Sequence, residues 1–115
     1  MSMTHMSTGT LYIVATPIGN SSDITLRALE TLKSVDLICA EDTRVVSKLL
    51  SMHGIEGKKL IPLNEFANEA KVNSVVDDLI EGKHVAFVSD AGTPGISDPA
   101  GLLVSRARQS EIDIS

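Results

Sequence analysis

Ser89-Asp90-Ala91-Gly92-Thr93-Pro94-Gly95-Ile96-Ser97-Asp98-Pro99 follows directly on the apolar run Val85-Ala86-Phe87-Val88. Small side chains let a backbone approach a ligand closely, and Gly92 and Gly95 open dihedrals closed to other residues. Pro94 and Pro99 stiffen the stretch, and Asp90 and Asp98 bring two carboxylates to it. Strand-to-helix connections usually run ~2–6 residues, so a stretch of this length and composition reads as a binding loop, with a plain connector between a strand and a helix as the alternative. Glu41-Asp42-Thr43-Arg44 packs two acids, a hydroxyl and a guanidinium behind the apolar run Leu37–Ala40. Such a cluster can orient a substrate hydroxyl or supply a general base whose pKa the arginine tunes. It can equally be a helix cap with acids set against the helix dipole. Arg44 and Lys48, four residues apart, share a helical face that can touch a phosphate backbone or simply be solvated. A third turn-rich stretch, Thr16-Pro17-Ile18-Gly19-Asn20, follows the run Leu11–Ala15. Asn64 and Glu65 can contact a substrate, or Glu65 can open a helix.

These stretches need elements to position them. Strand-type runs are predicted near 11–15, 36–40, 59–62 and 84–88. Between them lie helical patterns. Leu26, Leu29 and Leu32 with Ala28 and Val35 form one apolar stripe, with Ser22 or Asp23 as its cap. Val45, Val46, Leu49 and Leu50 form a second, capped by Asp42 or Thr43 and stopped at Gly54. Val72, Val76, Leu79 and Ile80 form a third that ends at Gly82, and Ala100–Gln109 a fourth with Arg106 and Arg108 near its end. Glu111–Ser115 reads as the start of another strand. This alternation specifies an α/β fold: an open, mostly parallel sheet flanked by helices. In such a sheet the three chemistry-bearing stretches share the edge at the strand C-termini, where ligands bind.

The 115 residues suit one domain, with 43% hydrophobic and 22% charged residues and no tryptophan, so the core is aliphatic. A net charge of −5 disfavours a chain-wide grip on nucleic acid but leaves room for a local basic patch. The single cysteine, Cys39, lies in an apolar run and reads as a small buried hydrophobe in a reducing, cytoplasmic setting. No run approaches the ~20 apolar residues of a membrane span. Residues 1–8 read as a disordered leader or cloning remnant. His5, His53 and His84 do not have metal-ligand spacing, and no metal is expected. Neither G-x-x-x-x-G-K-[ST] nor G-x-G-x-x-G is present, which weakens P-loop and dinucleotide readings.

Leu11–Asn20, Asp23-Ile24-Thr25-Leu26-Arg27-Ala28-Leu29, Ala40–Arg44 and Val88–Pro99, in that order, resemble the bacterial ribosomal RNA small-subunit methyltransferase I family of the tetrapyrrole-methylase superfamily. The resemblance runs from about Gly9 to the end. Gly95 and Ala100 depart from the family pattern, as does the lack of histidine in Asn64–Glu69. The resemblance implies the N-terminal α/β domain, residues 9–115, of a two-domain enzyme, with the second domain outside this stretch and the stretch alone inactive. It implies S-adenosylmethionine as cofactor and 2′-O-methylation of a cytidine in 16S rRNA, with the small ribosomal subunit as partner, a homodimer and no membrane. Pro17, Ile18, Gly19, Asp90, Ala91, Gly92, Thr93 and Pro94 would then line the cofactor. Glu41, Asp42 and Arg44 would be the catalytic candidates, with Asp90 a further candidate base. A tetrapyrrole or other small-molecule methyltransferase of the same superfamily, and a non-catalytic binding or dimerisation module, are the alternatives.

Overall fold

A computed structural model describes residues 8–16, 24–63, 69–90 and 98–115. Among these residues five strands and four helices alternate: β1 (Thr10–Thr16), α1 (Leu26–Ser34), β2 (Leu37–Ala40), α2 (Thr43–Met52), β3 (Lys59–Pro62), α3 (Glu69–Ile80), β4 (Val85–Asp90), α4 (Asp98–Gln109) and β5 (Asp113–Ile114). The strands form one sheet in the order β3-β2-β4-β1-β5, and every pairing is parallel. The expected α/β architecture is what the chain adopts, and Glu111–Ser115 does supply a strand, paired to β1.

Side chains alternate across the sheet, so each of β1 to β4 feeds two cores. Leu11, Leu37, Cys39, Val85 and Phe87 pack with Val72, Val75, Val76 and Leu79 of α3 and with Leu103 and Ala107 of α4. Val14, Ile38, Ala40, Ala86 and Val88 pack on the other face with Leu32 of α1 and Val46, Leu49 and Leu50 of α2. Helices α1 and α2 therefore cover one face, and α3 and α4 the other. Among the described residues Phe87 is the largest fully buried side chain, in a core otherwise built from aliphatic residues and Cys39.

Three positions read from the pattern as inward do not bury. Leu26 is 73% exposed, Val45 64% and Ile80 44%. Each sits at the margin of its stripe, where a helix turns away from a flat sheet, and Val75 buries in α3 instead. The α1 cap is Thr25, whose Oγ1 accepts from the Ala28 N–H at 3.1 Å. Ser22 and Asp23, expected in that role, lie outside the described residues. Val35 closes α1, its N–H bonding the Thr31 carbonyl. Strands β1 and β4 run one and two residues beyond their predicted ends, and α4 opens at Asp98. The stretch expected to be a binding loop is thus flanked more closely by β4 and α4 than its composition suggested. Gly54 and Gly82 follow α2 and α3 with φ of 70° and 102°, the left-handed conformation in which glycine ends a helix without steric cost.

Candidate functional site

The strands' C-terminal ends form one edge of the sheet. In register, Thr16 of β1 stands beside Asp90 of β4, and Ala40 of β2 beside Val88 of β4. Strand β4 therefore projects past β2 by Ser89 and Asp90. Chain leaving β2 enters α2 on one face, whereas chain leaving β4 enters α4 on the opposite face. Neighbouring strands whose connections depart to opposite faces open a crevice between their ends, the usual ligand position in such sheets. Small residues stand at these strand ends: Ala15, Ala40 and a half-buried Ser89.

Glu41 and Asp42 follow β2 at this crevice. Glu41 is exposed and, among the described residues, has no ion-pair partner. Asp42 is the N-cap of α2, its Oδ1 accepting from the Arg44 N–H at 3.0 Å. The Arg44 guanidinium forks onto the same carboxylate, Nε to Oδ1 and Nη2 to Oδ2, both at 3.1 Å. This fork, helped by the Arg44 backbone N–H, holds the Asp42 carboxyl below its usual range and pushes the Arg44 guanidinium up. Of the roles open to the cluster, the geometry shows the cap and the brace: Asp42 is fixed as a carboxylate engaged through both oxygens. Glu41 is the carboxylate left open to solvent.

Asp90 ends β4. The remaining candidates, Pro17, Ile18, Gly19, Ala91, Gly92, Thr93 and Pro94, lie outside the described residues, as do Asn64 and Glu65. Cys39 is buried in β2, and burial pushes its thiol up to about 12, so it is inert within the core. Ser89, expected at the start of the loop, belongs to β4, and the hydroxyls that line the outer side of α2 were not among the expected site residues. The signal for the second was present, since Thr43, Ser47 and Ser51 recur every four residues.

A profile of the Tetrapyrrole (Corrin/Porphyrin) Methylases matches residues 10–115. The chain belongs to the tetrapyrrole methylase family. Among curated relatives, ribosomal RNA small subunit methyltransferase I of Neisseria meningitidis serogroup B is 53% identical over 102 residues, covering 89% of this chain and 35% of the relative. The protein of the same name from Borrelia garinii is 58% identical over 97 residues, 84% of this chain and 43% of its own length. The chain thus spans under half the length of these two relatives. Among solved structures, cobalt precorrin-4 methyltransferase superposes with a TM-score of 0.74 at 24% identity, over 92% of this chain and 44% of that one. Uroporphyrin-III-C-methyltransferase from Thermus thermophilus gives 0.69 at 23%, over 92% and 45%. These tetrapyrrole methylases share the fold found here, and their likeness at this identity speaks to the fold alone. No helix among the described residues is long and apolar enough to cross a membrane.

Proposed function

We propose that the chain is the N-terminal half of an S-adenosylmethionine-dependent methyltransferase that methylates the 2′-oxygen of a cytidine ribose in small-subunit ribosomal RNA. The observation that carries this reading is the departure of the connections from the neighbouring strands β2 and β4 to opposite faces of the sheet, in a chain more than half identical, over the aligned residues, to relatives named ribosomal RNA small subunit methyltransferase I. The residues present fit the cofactor. The small, half-buried Ser89 stands at the end of β4, and the exposed carboxylate of Glu41 suits a cationic sulfonium.

When bound, S-adenosylmethionine supplies a methyl group as an electrophile on sulfur, which departs as a neutral thioether once the methyl has passed to oxygen. The residues of the chain position and deprotonate. Glu41 takes the proton of the ribose 2′-hydroxyl, which leaves the oxygen nucleophilic. Asp42, clamped by Arg44, keeps its charge and fixes the start of α2 beside Glu41. Residues 17–19 and 91–94, next in sequence after β1 and β4, line the cofactor together with Asp90. Holding the two reactants in line supplies much of the acceleration.

The test joins this chain at Ser115 to the remaining length of the Neisseria relative and adds tritium-labelled S-adenosylmethionine with unmethylated small ribosomal subunits. Label recovered on a cytidine ribose is expected, and Glu41→Gln lowers kcat by ~10²–10⁴-fold, the usual worth of a positioned base. Label on an added tetrapyrrole but not on RNA contradicts the reading in favour of a small-molecule methyltransferase. Label on neither favours a binding module.

A further inference from the structure

The chain is acidic overall, yet its charge is unevenly placed. Helix α2 contains no acidic residue, and from Thr43 to Leu63 four basic residues stand against one acid, Glu56. The four are not equivalent. Lys58 Nζ donates to the carbonyls of Lys33 and Val35, both at 2.6 Å, and so caps the end of α1. Lys59 lies on β3 two residues before Ile61, which packs toward α3 and α4, so alternation puts it on the face away from α2. Arg44 and Lys48 remain, one helical turn apart on the outside of α2.

Both border an open groove of about 620 Å³ floored by Leu60 and edged by the hydroxyl residues Thr43, Ser47 and Ser51. Arg44 is 90% exposed despite its bond to Asp42. Lys48 is exposed and has no ion-pair partner among the described residues. Two guanidinium or ammonium heads and a row of hydroxyls, with no carboxylate on the helix itself, complement a string of phosphate oxygens. They offer little to an apolar helix or an acceptor-poor partner. The groove also has a direction. Its Thr43 end adjoins Glu41 and the carboxyl edge of the sheet, and each four residues carry it ~6 Å farther away.

We propose that the outer groove of α2 carries the sugar–phosphate backbone of the RNA substrate. Lys48 neutralises a phosphate, Arg44, its charge paired with Asp42, donates from the guanidinium N–H groups the fork leaves over, the hydroxyls of Ser47 and Ser51 donate to phosphate oxygens, and the strand is led along α2 toward Glu41. This rests on the ribosomal RNA reading above, but it can fail separately from it.

The test measures binding of a short fluorescein-labelled single-stranded oligoribonucleotide to the 115-residue chain by anisotropy over a range of potassium chloride. Lys48→Ala is expected to lower the slope of log K against log salt by ~0.7, the share of one single-strand phosphate. Lys48→Arg is expected to restore it, and Lys59→Ala to leave it at the parent value. Equal slopes for the parent, Lys48→Ala and Lys59→Ala overturn the α2 placement while leaving ribosomal RNA as substrate, since methyl incorporation tests that independently. A parent chain that does not bind the oligoribonucleotide overturns the placement too. So does a parent that binds polyglutamate as tightly as RNA with the same dependence on Lys48, which would make the groove a site for acidic protein segments.

Discussion

The two ends of the sheet are built from similar polar residues put to opposite uses. At the end where the strands begin, polar groups are spent on one another. The Thr10 N–H donates to His84 Nδ1 at 3.1 Å, and the His84 N–H donates to Asp36 Oδ2 at 2.9 Å. The Gly9 N–H reaches the Leu79 carbonyl at 2.7 Å, and Asp36 and Leu37 both donate to the His84 carbonyl. Tyr12 lies against the His84 ring with centroids 6.4 Å apart. At the end where the strands finish, Asp42 and Arg44 satisfy each other, Glu41 faces solvent, and the connections from β2 and β4 part to opposite faces. The first end ties β1, β2, β4 and α3 together. The second parts the connections of neighbouring strands and leaves an exposed carboxylate beside them. Substitutions at the first end should therefore cost stability, and at the second should cost function.

The largest expected effect is at Gly9. A Cβ there would stand 1.8 Å from the Lys83 carbonyl oxygen and 2.4 Å from its carbon, both backbone atoms that cannot swing aside. Gly9→Ala is expected to lower the unfolding free energy in urea by about 3 kcal/mol, at the upper end of ordinary overpacking. Glu41→Ala, at the other end, should stay within ~0.5 kcal/mol of the parent, as surface changes usually do. Similar losses for the two would break the contrast between the ends.

A smaller loss is expected for His84→Ala, which removes the acceptor for the Thr10 N–H and the ring beside Tyr12. One hydrogen bond contributes ~1 kcal/mol, and in a domain of this size that lowers Tm by roughly 4–8 °C. An unchanged Tm would mean that β1 is held by its strand pairing alone.

Much of this division was legible in the sequence. Strand and helix alternation placed the three chemistry-bearing stretches at one edge, because in a parallel sheet every strand ends on the same side. Asp42 as a cap was readable from its place between an apolar run and a helical stripe. The strand order was not readable, since period-two patterns say which side chains face inward but not which strands are neighbours. The crevice between β2 and β4 depends on that order. The outward turn of Leu26, Val45 and Ile80 was also hidden, because a helix resting on a sheet buries a narrower stripe than the apolar residues mark out. The closed end gave no signal. Gly9, Asp36 and His84 are isolated in sequence, and only the fold makes them neighbours.

The mildest stability effect is expected at Asp42. Its bonds to Arg44 hold the folded carboxyl below the ordinary value of 3.8, so it stabilises the fold above that pH and loses this contribution as pH falls through the lowered folded value. Asp42→Ala should therefore lower Tm slightly at neutral pH through loss of the cap. The gap between variant and parent should close only below pH 3.8. A gap that closes near neutral pH would show that a different group carries the pH dependence.

The central claim, that ligand chemistry belongs to the end where the strands finish, is tested most directly by following backbone amide resonances of the 115-residue chain while S-adenosylmethionine is added to millimolar concentration. The account predicts shifts at Thr16, Glu41, Ser89 and Asp90, with Gly9, Thr10 and His84 at the opposite end unmoved. Shifts centred on Gly9, Thr10 and His84, or no shift at Glu41, Ser89 and Asp90, would contradict it.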